Sequence, residues 1–196
     1  MILHRCSSFI DFSKEREPFM SDNSHPLRGS CRRQEILCVR RVTATHAEYA
    51  KSPFITEYER TLDDFTKKVL YTAYRLLPDG VAPGFSERTG AALSTCTGPV
   101  SALEETAALA ISDGSRRINP SRFPHVMLST PLAYLTIQLH IHGPSCVFYD
   151  DFGNGTDAVK YCLSQIRSRR ADSMVLICTD EGGRMSGRLY RHRNVT

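Results

Sequence analysis

Cysteines and histidines are the residues of this sequence whose types are best suited to chemistry, because a thiolate can attack an acyl group and both side chains can bind metals. The 196-residue chain contains seven of each. The cysteines are odd in number and irregularly spaced, and no CxxC pair occurs, so they indicate neither a disulfide framework nor a zinc site. We therefore expect reduced thiols and a cytoplasmic protein.

Two short patterns resemble metal sites but lack essential ligands. His140 and His142 stand near the end of a predicted helix, with no third ligand at a suitable spacing. The segment 150–157, DDFGNGTD, resembles a calcium loop, but Phe152 occupies its third position and Tyr161 stands where the final Glu is required. A glycine turn that leads the chain into a helix explains this segment better, and we expect no bound metal.

The composition is that of an ordinary globular domain. Apolar residues make up 41% and charged residues 23%, which excludes wholesale disorder. No apolar run approaches the roughly 20 residues of a membrane-spanning helix, and the net charge of +4 is too small to indicate nucleic-acid binding. The sequence also lacks a GxxxxGK(S/T) loop, a GxGxxG turn after a strand and a GxSxG elbow, so no motif indicates a nucleotide site or a serine hydrolase.

Hydrophobic periodicity predicts alternating strands and helices. A helix is expected over 61–77, where apolar residues recur at helical spacing and Asp63 and Asp64 occupy the first turn. A capping box formed by Ser101 and Glu104 predicts the start of a second helix. The other predicted elements are strands at 35–42, 89–96, 145–150 and 173–180 and helices at 130–141 and 155–170.

This alternation of strands and helices is typical of an α/β domain. The apolar segments at 146–148 and 174–178 predict internal strands of a mixed, mostly parallel sheet with helices on both faces. Residues 1–34 lack the apolar core of a signal peptide, and 21–34 are polar and basic without periodicity. We expect residues 1–34 to form a flexible lead-in to one domain over 35–196.

Three segments between Gly90 and Gly183 form a recognisable series: GAALSTCTGPVSALEE, INPSRFPHVMLSTPLAYLTIQLHIHGPS and DAVKYCLSQIRSRRADSMVLICTDE. In order, they contain a small-residue strand with a Thr-Gly turn, a helix that leads to a Gly-Pro-Ser turn, and a helix with an Arg-Ala-Asp turn before a buried strand. This series resembles the N-terminal half of a β-ketoacyl synthase, a condensing enzyme of the thiolase fold. About half of the chain matches well, whereas residues 1–60 hardly match.

The sequence departs from the family at the catalytic positions. In the family, the nucleophile is a Cys at the turn after the strand that Gly-Pro-Ser introduces, and this position falls on Phe152, which cannot attack a thioester. Cys146 lies six residues earlier, about 20 Å away in an extended chain, and is a poor substitute. The family's catalytic histidines lie in its C-terminal half, which this chain does not match. We therefore expect no condensation by this chain alone.

A non-catalytic role beside an active enzyme is the function that the resemblance implies. Some ketosynthases form heterodimers with a Cys-less homologue, the chain length factor, which shapes the acyl tunnel in polyketide-type and fatty-acid-type pathways such as aryl polyene biosynthesis. The expected partner is a full-length ketosynthase, and an acyl carrier protein is a second expected partner. No cofactor is expected, apart from a phosphopantetheine thioester that the carrier protein would bring to the partner.

The resemblance also assigns two groups of residues. The strand before the nucleophile position pairs across the family's dimer, so the expected interface residues are Cys146, Val147, Phe148, Tyr149 and Asp150. The residues that open the helix after the Thr-Gly turn are expected to face the acyl tunnel, and the small ones among them are Pro99, Ala102 and Thr106.

Two alternatives remain open. The chain could be an enzyme by itself, a thiolase-fold acyltransferase or thioesterase that uses Cys146 as nucleophile or Asp150 or Asp151 as base. It could also be a fragment without a function, although the agreement between local and global signals argues against decay.

Two further surfaces of the predicted domain concern partners. The C-terminal arginines could meet an acidic carrier protein, although a solvated surface is the favoured interpretation. These arginines are Arg167, Arg169, Arg170, Arg184, Arg188, Arg191 and Arg193.

The helix at 155–170 is expected to lack cover on its apolar side, formed by Ala158, Val159, Cys162, Leu163 and Ile166. We therefore expect the chain to be poorly soluble alone or to form a stable complex.

Overall fold

The computed structural model describes residues 36–44, 62–76, 88–113, 118, 120–150, 155–180 and 182–192. The predicted lead-in at 1–34 lies outside the described residues, as do Asp151 and Phe152. In chain order the elements are β1 (Ile36–Ala44), α1 (Asp64–Tyr74), β2 (Thr89–Thr95), α2 (Val100–Asp113), a short 3₁₀ helix (Phe123–Val126), α3 (Thr130–Gln138), β3 (Ser145–Tyr149), α4 (Thr156–Arg167), β4 (Ser173–Thr179) and β5 (Met185–His192).

The five strands form one mixed sheet in the order β1-β5-β4-β2-β3. Strand β2 is parallel to both of its neighbours, β3 and β4. Strand β5 runs antiparallel to β4 and to β1. The predicted mixed α/β fold is confirmed. Within the described residues β3 forms one edge of the sheet and β1 forms the other, so the expectation of an internal strand at 146–148 is wrong for the single chain.

Local sequence explains where two of the helices begin. The Asp63 carboxylate accepts a hydrogen bond from the Thr66 backbone N–H at 3.0 Å, which caps α1 at its first turn. Helix α2 starts earlier than the capping box predicts, because the Pro99 carbonyl accepts the first helical hydrogen bond, from Leu103 N–H at 3.1 Å. Ser101 therefore lies inside the first turn, and its prediction as the N-cap is wrong.

The sheet is covered on both faces. One face packs against α1 and α3, with a core that includes Val69, Leu93, Leu135, Val175 and Ile177. The other face packs against α4 through Ala158, Cys162 and Ile166, which are all fully buried. The expectation that this side of α4 lacks cover is therefore wrong for these three residues, because the sheet covers them, whereas Val159 and Leu163 are half-buried.

Strand β5 is the element that the sequence pattern did not predict. Its residues Met185, Gly187 and Leu189 point to the α1 face and are buried, while the intervening Ser186 and Arg188 are half-buried on the other face. The arginines at 188 and 191 therefore belong to an internal strand between β4 and β1 rather than to a surface tail.

Candidate functional site

The carboxyl ends of the three parallel strands bring together the most distinctive polar contacts of the described fold. In open α/β sheets, functional residues lie at the carboxyl ends of the strands. Here β2 ends at Thr95, β4 ends at Thr179 and β3 is followed by Asp150, while Gly155 precedes α4. We call these four residues, together with Cys178, the strand-end site.

Thr95 is the hub of the strand-end site. Its hydroxyl accepts hydrogen bonds from the Thr179 hydroxyl at 2.8 Å and from the Gly98 backbone N–H at 2.8 Å. Its carbonyl accepts a hydrogen bond from the Asp150 N–H at 2.9 Å. Both threonine side chains are almost completely buried. Their hydroxyls therefore join β2 to β4 and shape the turn that leads into α2.

Asp150 holds the turn that leads into α4. Its carboxylate accepts a hydrogen bond from the Gly155 N–H at 2.5 Å, and Gly155 adopts a left-handed conformation with φ of +69°. A Cβ atom at Gly155 would lie 2.6 Å from the Cys178 sulfur, so glycine is required for both backbone and packing reasons. Asp150 thus has a structural task, whereas its prediction as an interface residue or as a base stays a prediction.

Replacing Gly155 with alanine is expected to lower the free energy of unfolding by about 2–4 kcal/mol, since left-handed backbone and overpacking each cost on the order of 1–2 kcal/mol. Gly183→Ala is the matched control, because Gly183 has a φ of +71° but nothing within 4 Å of its added Cβ. Urea unfolding followed by circular dichroism measures both variants. Equal losses of stability in the two variants would contradict the contact with Cys178.

Two thiols of the described fold are buried and electrically neutral. The pKa of the Cys178 thiol is raised to about 11, chiefly by burial; the nearby Arg188 lowers it and the Asp150 charge raises it. The pKa of the Cys162 thiol is raised to about 12, chiefly by burial and to a smaller extent by Cys178. Both groups are therefore protonated thiols at neutral pH, which argues against their use as nucleophiles.

The two thiols predict a loss of stability at alkaline pH. Both pKa values are higher in the folded chain than the ordinary value of 9.0, so the folded state keeps protons that the unfolded state releases. The free energy of unfolding is expected to be highest below pH 9 and to fall between pH 9 and 11 by about 1.4 kcal/mol per pH unit for each thiol. Urea titrations at several pH values measure this slope.

Cys162→Ala is the control for the alkaline transition. This variant removes one titrating thiol and is expected to reduce the slope, whatever its stability at neutral pH. A free energy of unfolding that stays constant between pH 9 and 11 in the original chain would contradict the assignment.

Four of the five predicted interface residues lie on the edge strand β3, and the fifth, Asp150, is the residue after it. The Asp150 N–H and the Pro144 carbonyl both point toward β2, where they bond to Thr95 and Ala91. Because backbone groups alternate in direction along a strand, those of Val147 and Tyr149 point away from β2. Within the described part of the chain, no strand pairs with this side of β3. Tyr149 is 63% exposed, and β3 has the free outer side of an edge strand, to which a further strand can pair.

The predicted tunnel residues share one face of α2. Pro99 is buried, and Ala102 and Thr106 are half-buried at the three- and four-residue spacing of a helical face. The Thr106 hydroxyl donates to the Ala102 carbonyl at 2.8 Å, so it adds little polarity to that face. The structure therefore brings the three residues together on the inner side of the helix, and their contact with an acyl chain stays a prediction.

A different face of α2 carries exposed apolar side chains. They recur at helical spacing, with exposed fractions of 40% at Val100, 53% at Leu103 and 86% at Ile111, and Ala107 is exposed between them. We call these four residues the α2 stripe. None of the side chains described at 100–112 is buried, although the helix is rich in apolar residues. A helix of this composition is normally covered by another element.

The remaining predicted residues are dispersed. Cys146 lies at the beginning of β3 opposite Ala92, at the other end of the strand from the strand-end site. His140 and His142 are exposed. No three His, Cys, Asp or Glu side chains in the described ranges are grouped as metal ligands. None of the helices that the structure describes is both long and apolar enough to cross a membrane.

Sequence reasoning did not identify the threonine pair. Thr95 and Thr179 are 84 residues apart, and each is an ordinary residue within its own segment. The available signal was their position, because each stands next to the last residue of a segment that the pattern predicts to be a strand. Parallel neighbours place such strand ends side by side.

Comparison with solved structures shows similarity to ketosynthases and chain length factors. The ishigamide ketosynthase/chain length factor is 16% identical, with a TM-score of 0.63 over 78% of this chain and 49% of that chain. A type II polyketide acyl-carrier protein in complex with its ketosynthase bound to the hexaketide is 13% identical, with a TM-score of 0.63 over 82% of this chain and 63% of that chain. A ketosynthase in complex with its chain length factor from Xenorhabdus doucetiae is 12% identical, with a TM-score of 0.56 over 72% of this chain and 62% of that chain.

These similarities establish the fold of the chain. The chain spans about half of the first of these structures and less than two thirds of the other two. No protein-family model and no curated protein sequence matches the chain. The chain therefore has the thiolase-like fold of ketosynthases and chain length factors, as predicted, over a segment shorter than those proteins.

Proposed function

We propose that this chain is a chain-length-factor-like subunit without condensing activity of its own, which pairs with a full-length ketosynthase and shapes the tunnel for the growing acyl chain. The observation that carries the proposal is an apolar helix with no buried side chain among those described at 100–112, together with a sheet edge whose backbone groups face outward. Both features involve neighbours of β2. Helix α2 follows β2 in the chain, and β3 is the edge strand that pairs with β2.

The physical argument for a partner begins at the edge strand. The outward N–H and C=O groups of Val147 and Tyr149 can continue the sheet into a second chain. The α2 stripe adds the apolar area that strand pairing alone lacks, since each large side chain that becomes buried contributes about 1.5–3 kcal/mol. A partner that uses both features would bury Tyr149, Leu103 and Ile111, which are all exposed in the single chain.

The solved relatives support the identity of the proposed partner. Two of the three similar structures are named as a ketosynthase with its chain length factor, and the third is a ketosynthase with its acyl carrier protein. We extend to this chain a ketosynthase partner, an acyl carrier protein that delivers the phosphopantetheine thioester, and a polyketide-type pathway. An aryl polyene product and a cytoplasmic location belong to the same proposal.

Native mass spectrometry tests the pairing. The tagged chain is purified from its own host under conditions that preserve complexes, and the expected species is a one-to-one complex with a full-length, Cys-bearing ketosynthase. Recovery of the chain only alone or as a homo-oligomer would overturn the proposed function.

A thioester labelling experiment separates this function from independent catalysis by Cys146. The purified complex is incubated with an acyl thioester, and acylated cysteines are mapped by peptide mass spectrometry. We expect acylation of cysteines on the partner alone and none at Cys146. Acylation of Cys146 would support a separate acyltransferase or thioesterase.

A further inference from the structure

Exposed arginines gather at the amino end of the parallel strands, opposite the strand-end site. Arg88 precedes β2, and Arg167, Arg169 and Arg170 lie where α4 ends before β4. All four side chains are exposed. Arg88 Nε pairs with the Asp172 carboxylate at 3.0 Å, whereas no ion pair joins the other three arginines to a carboxylate of the described residues. We call the four arginines the basic end.

Acidic side chains of the same elements lie at the other end of the sheet. Asp150 and Asp180 follow the carboxyl ends of β3 and β4, and Asp157 lies in the first turn of α4. Two of these carboxylates have a cation beside them, since Asp180 pairs with Arg184 at 3.1 Å and Asp157 pairs with Lys160 at 3.0 Å. The charges of the domain are therefore separated along the strands, and an anionic surface would attract the basic end.

Two helices end near the basic end in a turn that favours glycine, yet neither has glycine there. After α4, the Arg170 N–H donates to the Gln165 carbonyl at 3.0 Å and the Arg169 N–H donates to the Ile166 carbonyl at 3.1 Å, as in a Schellman turn. Arg169 has a left-handed φ of +57°, and His140 after α3 has a φ of +50°. Within the described ranges, these are the non-glycine residues with positive φ.

The two strained turns adjoin the start of β2. The Gly143 N–H, three residues after His140, donates to the Thr89 carbonyl at 2.8 Å, and the Arg88 guanidinium donates to the Arg169 carbonyl. Strained backbone is found mainly at functional sites, because glycine would otherwise relieve it. Side chains that can donate hydrogen bonds to an anion stand at both strained positions, which indicates a negatively charged ligand at this end.

Exposed aliphatic side chains flank the basic end. Ile137 in the last turn of α3 is 68% exposed, and Leu37 at the start of β1 is 43% exposed opposite Arg191. An acidic protein or a nucleic acid would account for the arginines but not for these aliphatic chains. A bilayer surface accounts for both, because arginine binds lipid phosphates and apolar side chains enter the headgroup region.

We propose that the basic end docks this chain on the surface of a bilayer that contains anionic phospholipids. The arginines bind the lipid phosphates, while Ile137 and Leu37 enter the headgroup region without any helix crossing the membrane. The docking goes beyond the proposed function and does not depend on it, because it uses none of the residues assigned to pairing or to the acyl tunnel.

Vesicle flotation with the full chain tests the docking, because bound protein floats with the lipid whereas aggregated protein sediments. The vesicles contain phosphatidylcholine alone or phosphatidylcholine mixed with phosphatidylglycerol. The chain is expected to float only with the phosphatidylglycerol vesicles in about 0.1 M salt, and to be released in about 1 M salt, where the screening length falls to about 3 Å. Absence of flotation with these vesicles at the lower salt concentration would overturn the proposal.

Two triple variants separate the basic end from the overall charge of the chain. In the first, glutamine replaces Arg167, Arg169 and Arg170. Each basic side chain near an anionic surface contributes about 5-fold to affinity, so this variant is expected to bind the vesicles about 100-fold more weakly. In the matched control, glutamine replaces three exposed arginines outside the basic end, Arg40, Arg41 and Arg122. The control is expected to keep nearly all of the affinity, and equal losses in the two variants would overturn the proposal.

Arg169→Gly separates docking from the structural role of the turn. Glycine relieves the left-handed strain, so the variant is expected to resist urea at least as well as the original chain while it binds the vesicles about 5-fold more weakly. Unchanged affinity in this variant would contradict the proposal. Displacement of the chain from the vesicles by an equal charge concentration of a short DNA duplex or of an acidic carrier protein would assign the basic end to that partner and overturn the proposal.

Discussion

Replacing Tyr149 with lysine is expected to weaken binding to the ketosynthase partner by at least about 100-fold, because the loss of a buried aromatic side chain and the burial of an ammonium group together cost about 3 kcal/mol or more. Tyr149 is 63% exposed in the single chain, so the substitution should leave the free energy of unfolding within about 0.5 kcal/mol of its original value. Titration calorimetry with the purified partner measures the affinity, and urea unfolding measures the stability.

Val39→Lys is the matched control for this experiment. Val39 is an apolar residue that is 49% exposed on β1, at the opposite edge of the same sheet. It lies at the irregularity between Cys38 and Arg40, where it has no residue opposite it on β5. The control is expected to bind the ketosynthase with unchanged affinity. Equal effects of the two lysines, or no effect of Tyr149→Lys, would exclude β3 as the paired edge.

Ala102→Phe is expected to shorten the acyl products of the reconstituted pair. Ala102 lies between Pro99 and Thr106 on the inner face of α2, where a phenyl ring would occupy space that the tunnel is proposed to use. A misfit of one methylene in an apolar pocket costs about 1–3 kcal/mol, so the ratio of full-length to shortened products is expected to fall by about 10- to 200-fold. Mass spectrometry of the released products measures this ratio.

Ala108→Phe is the control on the same helix. Ala108 is exposed, and the helical repeat places it about 120° around α2 from Ala102, on a different face of the helix. This substitution has the same volume and the same effect on helix propensity, and we expect it to leave the product length unchanged. An identical product distribution in Ala102→Phe and the original chain would show that this face of α2 does not line the tunnel.

The order and type of most elements could be predicted from sequence, because they depend on local signals. The strands at 89–95, 145–149 and 173–179 are runs of apolar and small residues, and helix α1 has its cap and its apolar spacing within a few residues. Strand β5 escaped prediction because it alternates arginine with buried residues. Its burial depends on pairing with β4 and β1, and local sequence does not carry that information.

The candidate site was only partly predictable for the same reason. Motif resemblance indicated the turn after β3 and the start of α2, and both adjoin the strand-end site. The bond between Thr95 and Thr179 depends on the parallel pairing of β2 with β4, and the contact between Arg88 and Arg169 at the other end of these strands depends on the same pairing. Each joins residues that are distant in sequence and individually ordinary.

The amino-acid sequence by itself determined the α/β class, the resemblance to one half of a ketosynthase and the segments that could pair or line a tunnel, because periodicity, caps and motifs act over a few residues. Only the tertiary structure decided that β3 is an edge, that the sheet covers the apolar side of α4, and that α2 exposes its stripe. These outcomes depend on which elements become neighbours, and the free energy that selects neighbours is a property of the whole packed chain.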